Sequence, residues 1–245
     1  MRLALFSSLA FLSSCSSKYP PEEAVRIAQT YTEIEWMPAK WHIRHGQDAR
    51  GITVHTPDTT LAEHAGDKRG WWQPGKMAKG MAYKWGGFDT PETFLTGLRK
   101  GKKAGDVANT YKIREDNAAI SDESVGIDCS GFISRCWGLD HHLDTRDLPG
   151  ICDPVAWEEM RMGDILLKNG HVLMFMVRQD EFVVGYEAGP IPTWRARRCA
   201  IRVSYLKANG YSPWRYKKMD VPRPATKTPR YDIDFTGAGW AFGPY

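Results

Sequence analysis

The sequence predicts an α+β fold, in which helices and antiparallel strands occupy separate parts of the chain. Helical signals dominate the first half, whereas residues 165–217 contain short apolar runs separated by turns. A content of 42% hydrophobic and 25% charged residues is typical of a globular protein and excludes a disordered chain. The net charge of +4, without a basic stripe, gives no reason to expect a nucleic-acid partner.

The first 14 residues have the pattern of an export signal. Arg2 precedes about ten mostly apolar residues, Leu3 to Leu12, which are too few to span a membrane. Leu12-Ser13-Ser14-Cys15 is similar to the bacterial lipoprotein signal, in which the cysteine becomes the first mature residue and carries lipid. Several acyl chains on Cys15 would anchor the protein stably. An ordinary cleaved signal with a chance cysteine is the alternative.

Two helices are predicted before the motif-rich region. The first begins at Pro21, and its apolar residues recur at helical spacing: Ala24, Ile27, Ala28 and Tyr31. The second covers residues 90–100, with Thr90 as N-cap and Pro91 in the first turn. Residues 36–80 lack periodicity and are expected to form loops and short strands. Residues 101–125 are charged, with some helical character.

The second half predicts a short helix followed by strands. Asp153-Pro154 repeats the N-cap signal, so a helix is expected over Pro154 to Met160. The expected strands are Ile165–Leu167, Val172–Val177, Phe182–Tyr186, Ile201–Tyr205 and Pro213–Lys217. From Val221 onward the chain is rich in Pro and Gly and is interpreted as a C-terminal tail, residues 221–245.

Cys129 is the candidate nucleophile. Residues from Cys129 onward have helical spacing, and Asp128 is a good N-cap for that helix. A cysteine in the first turn lies among unpaired N–H groups and near the positive end of the helix dipole, a setting that favours a thiolate. A buried cysteine that only packs the start of a core helix is the alternative interpretation.

His171 and Glu187 are candidate partners of that cysteine. His171 follows a Gly turn and heads the predicted strand Val172–Val177. If the next hairpin centres on Gln179, Glu187 lies directly opposite His171 and on the same face of the sheet. Glu187 could then fix the tautomer of the imidazole, as the third member of a triad does. A one-residue slip in register would place the two side chains on opposite faces of the sheet. The alternative is that Glu187 lies at the end of its strand, exposed to solvent.

Four short segments together resemble the NlpC-type cell-wall cysteine peptidases. They are Met81-Ala82-Tyr83-Lys84-Trp85-Gly86-Gly87, Asp128-Cys129-Ser130-Gly131-Phe132, Gly163-Asp164-Ile165-Leu166 and Gly170-His171-Val172. The resemblance covers about residues 80–217, and it implies a catalytic domain over residues 80–220. It implies a papain-like α+β fold, with the cysteine on a helix packed against an antiparallel sheet that carries the histidine. It also implies hydrolysis of amide bonds in peptidoglycan stem peptides, commonly between D-γ-glutamate and a diamino acid.

The resemblance assigns a role to each matching residue. Cys129 corresponds to the nucleophile, His171 to the general base and acid, and Glu187 to the third, orienting position. Tyr83 corresponds to a tyrosine that lines the active site. Asp128 corresponds to an acid that in some members receives the free amine of the substrate, although it can also be only the N-cap. The N–H of Ser130, by analogy with the residue after other nucleophiles, is a candidate oxyanion donor.

The chain departs from the family pattern in two ways. The third position is usually His, Asn or Gln, and the carboxylate of Glu187 would stabilise the imidazolium more strongly. An insertion covers residues 88–127 and contains the basic run Arg99-Lys100-Gly101-Lys102-Lys103, interpreted as a solvated face. We expect the insertion near the cleft, where it would alter specificity. Residues 15–79 are expected to be a tether and a helix-and-loop region packed on this domain.

The expected function is therefore that of a lipid-anchored cysteine peptidase with the triad Cys129, His171 and Glu187, active without a cofactor. The expected substrate is a peptidoglycan peptide, and the lipid on Cys15 is the expected contact with a membrane. In a Gram-negative cell, Ser16 after the cysteine implies the periplasmic side of the outer membrane. A monomer is expected. The alternatives are a papain-like amidase or acyltransferase with another substrate, and a non-catalytic wall-binding lipoprotein.

The remaining cysteines, histidines and tryptophans give weaker signals. The five cysteines cannot all pair, and once Cys15 and Cys129 are assigned, Cys152 and Cys199 are the favoured pair if any disulfide forms, while Cys136 suits a core position. No metal is expected, because neither His42 with His45 nor His141 with His142 has further ligands at useful spacing. The tryptophans Trp71, Trp72 and Trp85 suit packing better than a sugar-binding cleft.

Overall fold

The computed structural model describes residues 18–65, 68–189 and 192–220. They form helices and largely antiparallel sheets, which is compatible with the α+β prediction. The helices are α1 (Pro21–Glu33), α2 (Pro91–Arg99), α3 (Thr110–Glu115), α4 (Cys129–Cys136) and α5 (Val203–Ala208). The short strands of the first half are β1 (Glu35–Trp36), β2 (His45–Gln47), β3 (Thr53–His55), β4 (Ala78–Lys79), β5 (Lys103–Ala104) and β6 (Ser124–Val125). The later strands are β7 (Cys152–Pro154), β8 (Ile165–Lys168), β9 (His171–Gln179), β10 (Phe182–Gly189), β11 (Arg195–Arg202) and β12 (Ser212–Tyr216).

The later strands form one six-stranded antiparallel sheet. The order is β11-β10-β9-β8-β12-β7, so β8, β9, β10 and β11 follow one another as a meander. Asn169 and Gly170 form the two-residue turn between β8 and β9, because Lys168 pairs directly with His171. Gly170 adopts a φ of 77°, which a glycine accepts without strain. This tight turn fixes where His171 begins its strand.

Each face of this sheet packs against a different helical layer. On one face, α1 and α4 cover Val172, Met174, Tyr186 and Ala188 within the main hydrophobic core. On the other face, α5 covers a second core that contains Leu173, Phe175, Val183, Ile201 and Leu206. The alternation of neighbouring residues between two cores is the two-residue period expected of a strand buried on both sides.

The region before residue 80 packs on the same main core. Trp36 is buried, and its ring packs against the aromatic rings of Trp71, Trp72 and Phe94 at centroid distances of 5.4–6.0 Å. These rings join the N-terminal loops to helix α2 of the insertion. Trp71 and Trp72 therefore pack, as the sequence favoured, and the expected loops and short strands occupy residues 36–80.

The hairpin of β9 and β10 contains a bulge that the sequence prediction missed. The turn centres between Asp180 and Glu181 and not on Gln179, since Phe182 pairs with Gln179. The register then shifts, because Val184 faces Val177 whereas Gly185 faces Phe175. The prediction that His171 and Glu187 are directly opposite was therefore wrong by two residues. The two side chains still share a face because the bulge restores the even offset between them.

Two predicted elements are wrong. The helix expected over Pro154 to Met160 is replaced by strand β7 and a turn, since Cys152, Asp153 and Pro154 pair with β12 at the edge of the sheet. A proline is tolerated at such an edge, where its missing N–H is not needed. The strand expected over Ile201–Tyr205 ends at Arg202, and helix α5 begins at Val203. The other predicted helices and strands are present with small differences at their ends.

Cys152 and Cys199, the favoured pair if any disulfide formed, are not bonded to each other. Both thiols are free and buried, as are those of Cys129 and Cys136. Cys152 lies on β7 and Cys199 on β11, at opposite ends of the six-stranded sheet. Five inter-strand steps of about 4.8 Å put them roughly 24 Å apart, whereas a disulfide needs Cα atoms within about 7 Å. Cys136 lies in the main core, as predicted.

Among the described residues, no helix has the length and apolar character needed to cross a bilayer. Cys15 and the tail from Val221 onward lie outside the described residues.

Candidate active site

Cys129 is the first residue of α4, and Asp128 caps that helix, as predicted. The Asp128 carboxylate accepts a hydrogen bond from the backbone N–H of Gly131 at 2.6 Å and from the hydroxyl of Ser130 at 3.2 Å. The cap keeps the first turn of the helix ordered and leaves the N–H groups of Cys129 and Ser130 without helical acceptors. Both of these N–H groups, and that of Val172, hydrogen bond to the Cys129 sulfur.

The expectation that Cys129 favours a thiolate is not met in this state of the site. Burial raises the pKa of the Cys129 thiol well above its ordinary value, and the charge of Asp128 raises it further. The three N–H groups act in the opposite direction but are outweighed. A neutral thiol therefore occupies the resting site, and a base has to remove its proton.

His171 is the first residue of β9 and is buried. Its exposed fraction is 6%, and the amide of the next residue, Val172, reaches the Cys129 sulfur. The Nε2 atom of His171 lies 2.9 Å from the Oε2 atom of Glu187. Its Nδ1 atom is buried and has no hydrogen-bond partner among the described residues. Nδ1 is therefore the nitrogen left to accept a proton.

Glu187 is fully buried, which contradicts the alternative of a strand-end side chain in solvent. Its Oε2 atom binds His171, and its Oε1 atom accepts two hydrogen bonds from Arg197, at 2.9 Å from Nε and 2.5 Å from Nη2. Arg197 pairs directly with Glu187 in the ladder of β10 and β11 and is 3% exposed. The structure thus extends the predicted His171–Glu187 pair by a buried arginine.

A second histidine–carboxylate pair lies next to Cys129. The Nε2 atom of His142 lies 2.9 Å and 3.1 Å from the two carboxylate oxygens of Asp128. Burial would lower the pKa of His142, but the hydrogen bond and charge of Asp128 outweigh it and raise the pKa. With Gly131, Ser130 and His142 all bound to it, the Asp128 carboxylate is already engaged as a cap.

A cleft with a volume of about 670 Å³ opens over Cys129. One wall comes from the insertion, through residues that include Asn109, Thr110, Ile113 and Asp116. The prediction that residues 88–127 lie near the cleft is therefore confirmed. The facing wall contains His142 and the loop of Asp144, Thr145 and Arg146. His171 is not among the residues that line the cleft.

An ion pair joins the two walls of the cleft. Arg146 lies 2.8 Å from the carboxylate of Asp116 and also binds Asp144. Asp116 has a φ of 50°, and its carbonyl accepts a hydrogen bond from the indole N–H of Trp85 at 3.1 Å. Trp85 thus lines the cleft and supports the loop that carries Asp116.

Tyr83 lines the cleft, and its ring packs edge-on against Trp194 at 5.5 Å. Burial raises the pKa of Tyr83 well above its ordinary value, with Cys129 and Asp128 as further causes. The phenol therefore stays protonated at neutral pH and can donate a hydrogen bond into the cleft. Trp194 was not singled out in the sequence, because no motif surrounds it.

The insertion is anchored beneath the cleft by a buried ion pair. Lys112 of α3 lies 2.6 Å from Asp106, both side chains are fully buried, and the ammonium also donates to the carbonyl of Ala119 at 2.7 Å. A buried pair of this kind is costly to break, because removing one partner leaves an uncompensated charge. It therefore fixes α3, and with it one wall of the cleft.

His142 and Arg197 are further residues of the site that the sequence did not assign to it. His142 was considered only as a metal ligand, and Arg197 was not considered. The direct pairing of Glu187 with Arg197 would have followed from the register of β11, but that strand was not predicted over residue 197. Within the described ranges, no three His, Cys, Asp or Glu side chains are placed to share a metal ion. No family model matches the chain, and neither a curated protein nor a solved structure matches it at a significant level.

Proposed function

We propose that the protein is a cysteine hydrolase of the papain-like NlpC type that cleaves an amide bond in peptidoglycan stem peptides. One observation carries the proposal. Cys129, at a helix N-terminus, opens onto a cleft, and its sulfur accepts a hydrogen bond from the amide of Val172, the residue that follows the buried His171 of the His171–Glu187 pair. A cysteine helix packed against an antiparallel sheet whose strand begins with the histidine is the arrangement that the resemblance implies.

The reaction begins with proton transfer. The Nδ1 atom of His171 takes the thiol proton of Cys129 as the sulfur attacks the carbonyl carbon of the scissile amide. Catalytic hydrogen bonds often tighten only when substrate is bound, so the thiol and Nδ1 meet during this step. The N–H groups of Cys129 and Ser130, which the helix leaves unpaired, are the donors nearest to the developing oxyanion.

The second half of the reaction releases both products. His171 returns the proton to the leaving amine, the C–N bond breaks, and a thioester remains on Cys129. A water molecule, deprotonated by His171, then attacks the thioester, and the proton returns to the sulfur as the acid product leaves. Glu187 keeps the imidazole oriented through its hydrogen bond with Nε2 while the ring gains and loses its proton.

The shape and charge of the cleft suit a peptide with several polar groups. Tyr83, Trp85 and Trp194 supply aromatic walls, whereas Asp116, Asp144 and Arg146 supply charged groups at its rim. A stem peptide carries both carboxylates and an amine, which groups of both signs can bind. Lipid on Cys15 would hold this activity at the membrane of the cell envelope.

The proposal is tested with defined muropeptides. We expect the purified protein to release two fragments whose masses sum to that of the substrate plus one water, and Cys129→Ala to release none. Cys152→Ala, which removes another buried thiol far from the cleft, is the matched control and is expected to cleave. Cleavage by Cys129→Ala at the wild-type rate, or no cleavage by the wild type, would refute the proposal. A product joined to an added amine would instead identify an acyltransferase.

A further inference from the structure

Glu187 does not act on His171 as a lone carboxylate. Its Oε2 atom lies 2.9 Å from His171 Nε2, and its Oε1 atom accepts hydrogen bonds from both Nε and Nη2 of Arg197. The exposed fractions of the three residues are 0%, 6% and 3% for Glu187, His171 and Arg197. Water is therefore excluded from a row of three ionisable groups.

A fork-shaped, two-point contact between guanidinium and carboxylate is the strong form of this interaction. An arginine stays protonated when buried, so it places one full positive charge against Glu187. The pair then has no net charge, while Oε2 remains a hydrogen-bond acceptor for the imidazole. An Asn or Gln side chain would present the same kind of acceptor, a polar oxygen without net charge.

We propose that Arg197 is a positioning residue that neutralises Glu187, so that the Glu187–Arg197 pair orients His171 without holding it as an imidazolium. The inference rests on the proposed function, because it assigns His171 the role of base. It explains why a carboxylate can stand at the third position and still leave His171 uncharged and able to take the proton of Cys129.

The other groups around His171 do not supply this compensation. The ring of Tyr211 packs edge-on against the imidazole at 6.3 Å, and burial raises the pKa of Tyr211 far above its ordinary value. Burial likewise raises the pKa values of the Cys199 and Cys129 thiols, so both are uncharged near pH 7. Lys168 pairs with His171 across β8 and β9, but its ammonium lies over the Tyr211 ring at 4.8 Å.

The first measurement is an NMR titration of the His171 imidazole in the full protein, without substrate. Arg197→Met leaves a buried carboxylate against the ring, so we expect the pKa of His171 to rise by about 1–3 units. The double variant Glu187→Gln/Arg197→Met restores a neutral acceptor, and we expect its His171 titration to return to within about half a unit of the wild type. Arg198→Met is the matched control, since Arg198 lies on the same strand but pairs with the exposed Glu33.

The second measurement is the pH profile of muropeptide cleavage. At neutral pH we expect kcat to fall roughly 10-fold or more in Arg197→Met. Each unit by which the pKa of His171 rises above the working pH lowers the fraction of unprotonated imidazole about tenfold. We expect the double variant to recover most of that loss and Glu187→Gln alone to remain slow, since it leaves the charge of Arg197 unbalanced. Such rescue distinguishes neutralisation from simple packing.

The outcomes separate this inference from the proposed function. An unchanged His171 titration in Arg197→Met, or a double variant no closer to the wild type than the single variants, overturns the inference even if the enzyme is active. The expected titrations in a protein that cleaves no muropeptide support the inference and refute the function. If Arg197→Met does not fold, folding of the double variant supports neutralisation, and failure of both overturns it.

Discussion

At the scale of single residues, the charge state of Cys129 depends on more than its place in a helix. The unpaired N–H groups of the first turn do contact the sulfur, as the sequence argument required. Yet burial and the neighbouring carboxylate of Asp128 raise the pKa of the thiol. Asp128 therefore has two opposite effects. As the N-cap it orders the first turn of the helix, whereas its negative charge opposes the thiolate form of Cys129.

The ion pair between His142 and Asp128 predicts that the free energy of unfolding depends on pH. The pKa of His142 is raised in the folded protein, mainly because Asp128 outweighs the effect of burial. A raised histidine pKa stabilises the fold fully below the unfolded pKa of about 6.5, and this contribution is lost as the pH rises through the folded pKa. We expect His142→Gln to lower the free energy of unfolding by about 1.5–3 kcal/mol at pH 5.5 and by less at pH 9. Urea unfolding at the two pH values measures it.

The adjacent residue provides the control for this prediction. His141 also contacts an aspartate, Asp140, but both side chains are largely exposed, at 63% and 95%. An exposed pair contributes little, so His141→Gln should change stability by less than about 1 kcal/mol at either pH. Equal losses for His142→Gln at pH 5.5 and pH 9 would show that the ion pair with Asp128 is not the cause.

The part of the site that local sequence determines was predictable, and the part that depends on distant chain segments was not. Cys129 and Asp128 are adjacent, and the N-cap pattern of residues 128–131 predicts that Cys129 begins a helix. His171 follows the two-residue turn of Asn169 and Gly170. His142, by contrast, reaches Asp128 from a loop beyond α4, and no spacing rule specifies that return.

At the scale of elements, the hairpin of β9 and β10 determines whether the histidine meets its carboxylate. The first pairs after the turn would place His171 and Glu187 on opposite faces if that register continued. The one-residue shift between Val184 and Gly185 corrects this. A glycine inside a strand is a recognised sign of a bulge, so Gly185 is the signal in the sequence that could have located it.

Gly185→Ala should therefore disrupt the site without touching it. A Cβ atom on residue 185 would overlap the backbone carbonyl of Met174 on the neighbouring strand, and backbone cannot move aside as a flexible side chain can. We expect a loss of about 1–3 kcal/mol in the free energy of unfolding from this overpacking. We also expect loss of the His171–Glu187 hydrogen bond, seen as a changed imidazole signal by NMR, and reduced muropeptide cleavage.

A second glycine serves as the control for this substitution. Nothing lies within 4 Å of a Cβ atom built on Gly150, and its φ is not positive. Gly150→Ala should therefore leave stability and the His171 signal nearly unchanged. A Gly185→Ala protein with the stability and imidazole signal of the wild type would mean that the bulge does not set the register of Glu187.

The failed helix prediction at Pro154 has a physical cause at the same scale. Asp153-Pro154 fits a helix start by local preference, but the pairing of Cys152, Asp153 and Pro154 with β12 satisfies backbone groups at the sheet edge instead. Long-range pairing overrides a short local signal, because three residues of strand or helix differ little in intrinsic preference. The Thr90 cap succeeded because a longer apolar helix face followed it.

At the scale of the whole molecule, the segments before and after residue 80 share one core. Helix α1 packs on both α4 and β11, so the segment before residue 80 supports the helix that carries Cys129. Tyr19 adds a backbone link, since its N–H donates to Lys218 and its carbonyl accepts from Asp220, each at 2.7 Å. The boundary at residue 80 was predicted from the position of the motifs. It does not divide the hydrophobic core, which contains residues from both sides of it.

This packing bears on how a lipid anchor would hold the protein. Only Ser16, Ser17 and Lys18 lie between Cys15 and Tyr19, which is already tied to the end of the sheet. At about 3.5 Å per residue, four steps span roughly 14 Å at most. A lipid on Cys15 would thus keep Tyr19, and the α1 end of the domain, close to the bilayer surface.

The anchor predicts membrane retention that depends on one thiol. In cells fed a tagged fatty acid, we expect the wild-type protein to carry the label and to sediment with membranes, because several acyl chains give stable anchoring. Cys15→Ser should be unlabelled and should leave the membrane fraction. Cys152→Ser, which changes a buried thiol of the sheet, should behave as the wild type. Label on the Cys15→Ser protein, or no label on the wild type, would refute lipid attachment at Cys15. The short link from Cys15 to Tyr19 would then not hold the cleft near a membrane.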